Sequence, residues 1–284
     1  GSKGQLGQCL YDQLSHTEYE VVYTSREQID ISDFLATKNK IFEITPDVVI
    51  NATAYTAVDK AEEDQEKANL INHLAVANIA NISNVLGNWL IHVSTDYVFD
   101  GISDVPYKED DLTNPQGIYG VTKLKGELAI QSSGCKHIII RTSWVFSEYG
   151  NNFLKTMLRL VAGRDELSIV GDQVGCPTYA QDIAIAVVNI LPQLKSCEEI
   201  IGIYHYCGDS ACSWFDFAQE IFKQMNEYYQ STVPPLKSVS TEKYPTLAKR
   251  PKFSALDNRK LQETFGIFPS DWKVGVTSIL KKLI

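Results

Sequence analysis

Short apolar runs alternate with longer stretches of helical periodicity over roughly the first 170 residues of this 284-residue chain. The apolar runs predict β-strands at EVVYT (20–24), DVVIN (47–51), WLIHVST (89–95), HIIIRTS (137–143) and LSIV (167–170). The stretches between them predict helices near 32–44, 60–88, 117–133 and 150–162. This order is typical of β-α-β units, and strands this apolar are covered on both faces. We therefore predict an α/β fold with a doubly wound parallel sheet.

The alternation weakens after residue 170. Helices are predicted near 180–191, 213–229, 257–265 and 272–283, separated by loops that contain glycine and proline. We expect a larger domain at 1–170 and a smaller lobe at 171–284. Segments of each part could also contribute to the other. Open α/β sheets bind ligands at the carboxyl ends of their strands, where such a lobe would pack.

Three glycines at the start of the chain have the spacing G-x-x-G-x-x-G, namely Gly1, Gly4 and Gly7. This spacing normally follows a strand, and the glycines let the backbone approach a pyrophosphate at the N-terminus of a helix. We therefore expect a strand before Gly1 in the native protein. The alternative is that Gly1 and Ser2 are residues left by cloning, which leaves GQLG as a shorter remnant. A true phosphate loop would make the first domain Rossmann-like and NAD(P)-binding.

Composition narrows the class of partner. Apolar residues make up 44% of the chain, which indicates a globular protein, and the net charge of -9 offers no basic surface for nucleic acid or an anionic membrane. No apolar run approaches the roughly 18 residues of a membrane span, and the N-terminus lacks a signal-peptide pattern. We expect a cytoplasmic protein that binds neither nucleic acid nor membrane.

Cysteines, histidines and the acidic cluster suggest structural roles. The six cysteines form no C-x-x-C pair, so we expect reduced, mostly buried thiols. His92 and His137 lie in or beside apolar strands, and no histidine pair has the spacing of metal ligands, so we expect no metal site. The cluster Glu62–Asp64 is expected to be a solvated first turn of a helix, where negative charge is favourable.

The stretch YGVTK contains the most informative pair of side chains. Tyr119 and Lys123 are four residues apart, which places them on one face of a helix. A free tyrosine has a pKa of about 10, and a nearby ammonium lowers it, so the pair predicts a tuned proton donor. The alternative is an ordinary surface pair. Ser94 and Thr95 close the apolar run 89–95, where their hydroxyls could bind a carbonyl, and the small residues of NATAYTAVDKAEED (51–64) could admit a cofactor.

This combination resembles the extended short-chain dehydrogenase/reductase superfamily, and in particular its dTDP-4-dehydrorhamnose reductase family. The motifs that carry the resemblance are GQLG (4–7), QIDISD (28–33), TAVDKAE (56–62), STDYVFDG (94–101), YGVTKLKGE (119–127), RTSWVFSEYGNNF (141–153), DQVGCPTYAQDIA (172–184) and KRPKFSALDNRKL (249–261). The glycine loop and Y-x-x-x-K are common to the superfamily, whereas the STDYVFDG, RTSW and DQVGCPT elements are more specific to this family.

The resemblance implies roles for individual residues. Thr95 would hold the substrate ketone, Tyr119 would protonate it, and Lys123 would tune Tyr119 and bind the nicotinamide ribose. The residues implied around the cofactor are Gly1, Gly4, Gln5, Leu6, Gly7, Asp30, Ile31, Thr53, Ala54 and Tyr55, together with Tyr119 and Lys123. Those implied around the substrate are Val58, Thr95, Asp96, Tyr97, Trp144 and Arg250. Tyr97 and Trp144 are alternatively core aromatics, and Arg250 is alternatively a solvated arginine.

The implied activity is reduction of the C4 ketone of dTDP-4-dehydro-β-L-rhamnose by NADPH or NADH. An arginine just after the predicted strand at 20–24 suits a 2′-phosphate, so Arg26 favours NADPH. Two alternatives stay open: reduction of another nucleotide-linked 4-keto sugar, and a non-catalytic regulatory subunit of a methionine adenosyltransferase. We expect a nucleotide-sugar substrate, and a homodimer is the candidate assembly.

Overall fold

The largest sheet of the computed structural model has four parallel strands. The structure describes residues 1–161, 164–195, 198–230 and 232–283. The strands lie side by side in the order β1 (Val48–Asn51), β2 (Trp89–Thr95), β3 (Lys136–Thr142) and β8 (Gly202–His205). Strands β2 and β3 are buried over most of their length, as their apolar sequences require. The predicted doubly wound α/β fold agrees with this architecture.

Helices cover both faces of this sheet. They are α1 (Gln5–Leu14), α2 (Phe34–Ile44), α3 (Val58–Glu63), α4 (Gln65–Asn69), α5 (Ala75–Leu86), α6 (Ile118–Ser133), α8 (Ala180–Ile190) and α10 (Arg259–Phe265). Alternate residues of a strand point to opposite faces, so Ile91 packs with α1 and α8 while Leu90 packs with α5 and α6. A π-helical turn, Leu70–Leu74, joins α4 to α5. Within the described ranges, no helix has the length and apolar character to cross a membrane.

A second apolar core lies among short strands and three further helices. The strand pairs are β5 (Leu167–Val170) with β10 (Leu236–Val239), β4 (Val145–Phe146) with β7 (Thr178–Tyr179), and β6 (Val174–Gly175) with β9 (Cys212–Ser213). The helices are α7 (Phe153–Val161), α9 (Trp214–Tyr229) and α11 (Trp272–Leu283). Phe146, Phe217 and Trp272 are central to this core, whose residues mostly follow position 144 in the chain.

Two strand predictions need correction. Residues 167–170 form a strand, but it pairs with β10 outside the main sheet, because an apolar run does not specify its partner. Residues 20–24 form no assigned strand. Val21 and Tyr23 pack against the core, yet the backbone contacts from Gly1 and Ser2 both converge on the Thr24 carbonyl and make no regular ladder.

The division at residue 170 stays a prediction. Helix α8 and strand β8 follow that position, but α8 packs on α1 and β8 extends the main sheet beside β3. Chain from the second part therefore completes the first. The predicted helix at 150–162 extends into residue 162, which lies outside the described residues, and Cys197 also lies outside them. Cys9, Cys135, Cys176, Cys207 and Cys212 are free thiols.

Candidate active site

Thr95, Tyr119 and Lys123 come together where β2 ends beside the first turns of α6. Thr95 is the last residue of β2, and Tyr119 and Lys123 are one helical turn apart in α6. The Thr95 hydroxyl lies near the Tyr119 phenol and lowers its pKa by hydrogen bonding to the ionised form, while Thr95 Oγ1 itself donates to Asp96 Oδ1 at 2.9 Å. The Lys123 side chain is only 1% exposed, and its Nζ donates to the Val93 carbonyl of β2 at 2.6 Å. The fold thus brings a hydroxyl, a phenol and an amine to the carboxyl end of one strand.

Burial dominates the proton affinities of these groups. Burial raises the pKa of Tyr119, and the Thr95 hydrogen bond partly offsets this rise. Burial also lowers the pKa of Lys123 to about 8, against the opposing effect of the Glu127 carboxylate. The expectation that Lys123 lowers the Tyr119 pKa stays a prediction. The Lys123 amine contacts β2, where its Nζ donates to the Val93 carbonyl and lies 3.2 Å from His92 Nε2.

A carboxylate from another helix caps the start of α6. The N-cap residue, Gly117, has no side chain to satisfy the first N–H groups, and Glu62 Oε1 accepts from the Ile118 N–H at 2.9 Å. A Cβ at Gly117 would meet Glu62 Oε1 at 2.7 Å, so a larger residue there would displace the carboxylate from its capping position. The expectation of a solvated Glu62 in a first turn is therefore wrong: Glu62 lies at the end of α3 and contacts α6 because the two helices pack together.

The glycines at the start of the chain form a tight turn that leads into α1. A Cβ on Gly1 would meet the Ala52 carbonyl oxygen at 2.5 Å, and one on Gly7 would meet the Gly1 oxygen at 2.1 Å. No side chain caps α1 at Gly4, so its first N–H groups have no capping side-chain acceptor, as an anion site would require. Gln5 accepts hydrogen bonds from Ser147 and Asn152, and Leu6 is buried. The backbone N–H groups of the glycine turn and of the first turn of α1 fit the pyrophosphate of a dinucleotide.

The loops after β1 and around Asp30 are the other implied cofactor contacts. Thr53 N–H donates to Asn51 Oδ1 at 3.1 Å, and Tyr55 N–H donates to Asn72 Oδ1 at 2.8 Å, which fixes the backbone around Ala54. Asp30 accepts from Ser32, which lowers the Asp30 pKa, and Arg26 lies 3.3 Å from the Asp30 carboxylate. Ile31 packs against the core that contains Val76 and Ile79.

The implied substrate residues line the other side of Thr95. Burial raises the pKa of Asp96 to about 6, with the Ser254 and Thr95 hydroxyls opposing the rise. Tyr97 is half-buried, and its ring meets that of Tyr119 edge-on at 5.5 Å. A Cβ on Gly120 would meet the Tyr97 carbonyl oxygen at 2.2 Å, so glycine permits this close approach.

Trp144 stands between the site and the second core. Its φ of +46° lies in the region that favours glycine, and the indole stacks on Trp214 with ring centroids 3.5 Å apart. A Cβ on Gly175 would meet this indole at 2.6 Å and Ser254 Oγ at 2.9 Å. One face of the Trp144 ring therefore packs against Trp214, as the core alternative expects, and Gly175 lies against the indole.

Arg250 is held by partners from the first domain. Its guanidinium donates to Tyr97 Oη at 3.0 Å and forms an ion pair with Asp59 of α3. Asp59 also accepts from the Ala248 N–H at 3.1 Å. Tyr97 and Arg250 line a cleft with Gln116 and Lys249, while Val58 lies half-buried at the start of α3. Arg250 is therefore not a solvated surface arginine.

Comparisons with known proteins match the chain along its whole length. The family model described as the RmlD substrate binding domain matches residues 1–284. The chain is 43% identical to the dTDP-4-dehydrorhamnose reductase of Aggregatibacter actinomycetemcomitans, over 98% of this chain and 96% of that protein. It belongs to the dTDP-4-dehydrorhamnose reductase family.

Solved structures of this reductase family share the fold. The dTDP-4-dehydrorhamnose reductase of Clostridium acetobutylicum superimposes with a TM-score of 0.93 at 39% identity, covering 100% of this chain and 97% of that one. The Bacillus anthracis reductase, solved in complex with NADP, has a TM-score of 0.90 at 35% identity, covering 99% of this chain and 97% of that one. The predicted family and the predicted Rossmann-like fold are confirmed.

Sequence reasoning assigned no role to two acidic residues of the reductase-family motif TAVDKAE (56–62). Asp59 anchors Arg250, and Glu62 caps the helix that carries Tyr119. Both acids lie on the same short helix as Val58, so the motif itself was a signal that could have drawn attention to them. Their partners are far away in the chain, which is why the motif alone did not reveal these contacts.

Proposed function

We propose that this chain reduces the C4 ketone of dTDP-4-dehydro-β-L-rhamnose to dTDP-β-L-rhamnose, using NADPH or NADH. The observation that carries the proposal is that Thr95, Tyr119 and Lys123 lie together at the carboxyl end of β2, on the sheet edge where the glycine turn packs against Ala52 after β1. Membership of the dTDP-4-dehydrorhamnose reductase family supports the substrate.

The cofactor would lie across the carboxyl end of the sheet. When bound, it supplies the hydride for C4 of the sugar. The glycine turn with Gln5 and Leu6 would bind the pyrophosphate, Asp30 and Ile31 would contact the adenine, and Thr53, Ala54 and Tyr55 would contact the ribose and phosphates. Arg26, whose side chain is 73% exposed, could turn toward a 2′-phosphate, which favours NADPH.

Tyr119 would donate the proton to the ketone oxygen, which becomes the new hydroxyl. The raised pKa of Tyr119 keeps the phenol protonated at neutral pH, as a proton donor must be. Thr95 Oγ1 donates its single hydrogen to Asp96 Oδ1 at 2.9 Å. A ketone oxygen placed between Thr95 and Tyr119 would accept from the Tyr119 phenol, and from Thr95 after its hydroxyl turns away from Asp96.

The substrate would extend from Thr95 toward Arg250. Asp96 and Tyr97 would contact the sugar, with Val58 and Trp144 closing the pocket on either side. Arg250 would bind the diphosphate, because a guanidinium presents paired N–H donors to phosphate oxygens. Its ion pair with Asp59 and its hydrogen bond with Tyr97 hold the side chain at this place before substrate arrives.

The test is a coupled assay that follows NADPH absorbance with purified dTDP-4-keto sugars. Tyr119→Phe should lower kcat by roughly 100-fold to 10,000-fold, the usual effect of removing a general acid, while the Kd for NADPH stays within about twofold. Undiminished turnover would remove Tyr119 from the mechanism. Faster reduction of a different nucleotide-linked 4-keto sugar would assign that sugar as the substrate. A stoichiometric methionine adenosyltransferase partner, with no NADPH oxidation, would instead assign the chain as a regulatory subunit.

Three further expectations belong to this proposal. The first part of the chain, 1–170, would bind the cofactor and contribute most of the substrate pocket, and 171–284 would be the smaller substrate-binding lobe that supplies Arg250. The reaction would take place in the cytoplasm, where reduced cofactor is available. A homodimer is the proposed assembly, and light scattering of the purified chain would measure its mass.

A further inference from the structure

The loop between β4 and α7, residues 147–152, lies along one face of α1. Asn152 Nδ2 donates to Gln5 Oε1 at 2.8 Å, and the Tyr149 hydroxyl donates to Asp12 Oδ2 at 2.8 Å. Gln5 and Asp12 are seven residues apart, which places them on the same face of a helix. The loop therefore holds the helix that follows the glycine turn at two points.

The orientation of the Asn152 amide is fixed by backbone groups that can act in only one way. The Lys155 N–H donates to Asn152 Oδ1 at 3.0 Å, and the Ser147 carbonyl accepts from Asn152 Nδ2 at 2.7 Å. The Tyr149 carbonyl, at 3.3 Å, is the most distant of the three acceptors around Nδ2, so the second hydrogen goes to Gln5. A donor at this place requires an acceptor opposite it, so the Gln5 carboxamide presents its oxygen to the loop.

The Gln5 amide nitrogen keeps two N–H donors that have no hydrogen-bond partner within the part of the chain that the structure describes. Gln5 is the first residue of α1, and helical side chains tilt toward the N-terminus of their helix. This tilt directs the side chain toward the N–H groups of the first turn, which have no capping side chain. An anion at this helix end would meet donors from backbone and side chain alike, whereas a reversed amide would set its oxygen against the anion.

We propose that Asn152 is a positioning residue for the dinucleotide: it holds the Gln5 oxygen toward the loop, so that the Gln5 amide nitrogen donates to the pyrophosphate. This inference rests on the proposed function for its ligand, and it gives the Gln5 contact a direction. Ser147 supports the arrangement, because its hydroxyl lies 2.9 Å from Gln5 Oε1 and 3.0 Å from the Tyr149 carbonyl and can donate to either. A segment 147 positions away in the chain thus prepares the glycine turn for its ligand.

The test variants must keep a second role of Asn152, which caps α7. Its Oδ1 accepts the N–H of Lys155 in the first turn of that helix, and Asn, Asp and Ser are about equally good at this position. Asn152→Asp and Asn152→Ser therefore retain the cap and remove the amide donor to Gln5, and the serine variant adds no charge. Asn151→Asp and Asn151→Ser are the matched controls, because Asn151 is exposed and accepts from Arg159 at the surface.

The first readout is the Kd for NADPH, measured by cofactor fluorescence without any sugar. Both Asn152 variants should raise this Kd roughly 10-fold to 100-fold, the effect expected when a hydrogen bond to a charged group is lost. In Asn152→Asp the Gln5 amide turns to donate to the new carboxylate, and its oxygen then opposes the phosphate. The Asn151 variants should stay within about twofold of the wild type. Equal Kd values for the Asn152 and Asn151 variants would overturn the proposal.

A double-mutant cycle separates positioning from a purely structural role. Gln5→Ala should raise the Kd for NADPH by a similar factor, and adding Asn152→Ser to Gln5→Ala should cause no further rise, because Asn152 acts through the Gln5 amide. Effects that multiply in the double variant would overturn the proposal. In steady-state assays the loss should appear in the KM for NADPH, with kcat nearly unchanged.

The binding readout also separates this inference from the proposed function. A wild type that binds NADPH but does not reduce the keto sugar would refute the proposed function, while the Kd values of the variants still decide the role of Asn152. A wild type that does not bind NADPH would overturn the inference. If Asn152→Asp does not fold, Asn152→Ser and the double-mutant cycle decide.

Discussion

Removing the cap that Glu62 provides should impair catalysis from outside the site. Glu62→Ala deletes the acceptor of the Ile118 N–H, whose 2.9 Å bond lies one residue before Tyr119. Loss of an N-cap acceptor costs about 1 kcal/mol. For a chain of this size we expect Tm to fall by roughly 2–4 °C. The first turn of α6 would fray, and a displacement near 1 Å of a catalytic group lowers the rate by roughly 100-fold.

Steady-state NADPH oxidation and thermal unfolding measure both effects. The loss should appear in kcat, reduced roughly tenfold to 100-fold, more than in KM, because Glu62 positions Tyr119 and binds no substrate. Glu62→Gln retains an oxygen acceptor and should recover most of the loss. Glu63→Ala, an exposed neighbour on the same helix, is the control. If Glu62→Ala and Glu63→Ala give the same kcat and Tm, the cap does not position Tyr119.

Three other variants test the remaining parts of the site. Arg250→Ala should raise the substrate KM roughly tenfold to 100-fold, because hydrogen bonds to the charged diphosphate are lost. The control, Arg259→Ala, replaces an exposed arginine and should leave KM unchanged. Equal KM values for the two variants would show that Arg250 does not bind the substrate. Asp96 has a pKa of 3.8 in the unfolded chain and about 6 in the folded protein. Its ionised carboxylate therefore lowers the free energy of unfolding, fully above pH 6 and progressively less as the pH falls toward 4. Asp96→Asn should therefore stabilise the fold by about 3 kcal/mol at pH 7, and by progressively less at lower pH in chemical unfolding; a pH-independent difference would contradict this. Glu127→Ala should destabilise the fold by roughly 3–5 kcal/mol because it leaves the Arg141 charge buried without its partner, and a change below about 1 kcal/mol would mean that water reaches Arg141.

Local patterns were enough to predict most elements and the catalytic motif. The apolar runs at 47–51, 89–95 and 137–143 correspond to β1, β2 and β3, since burial on both faces leaves a continuous apolar signature. Tyr119 and Lys123 were paired correctly on one helix because i and i+4 neighbours follow from helical geometry alone. Strand β8 was missed because its four residues, GIYH, combine a glycine and a histidine with only two apolar side chains.

The contacts that tune the site depend on residues far apart in the chain. Asn51 and His92 are separated by 41 positions, Glu62 and Ile118 by 56, and Asp59 and Arg250 by 191. No local periodicity encodes such pairs, because strand register and helix packing determine them. The α/β alternation, the glycine turn and the Y-x-x-x-K pair are visible in local sequence patterns. The contact of the Lys123 amine with His92 depends on the folded arrangement of β2 and α6, because a buried lysine amine must find its partners among the polar groups that packing brings within reach.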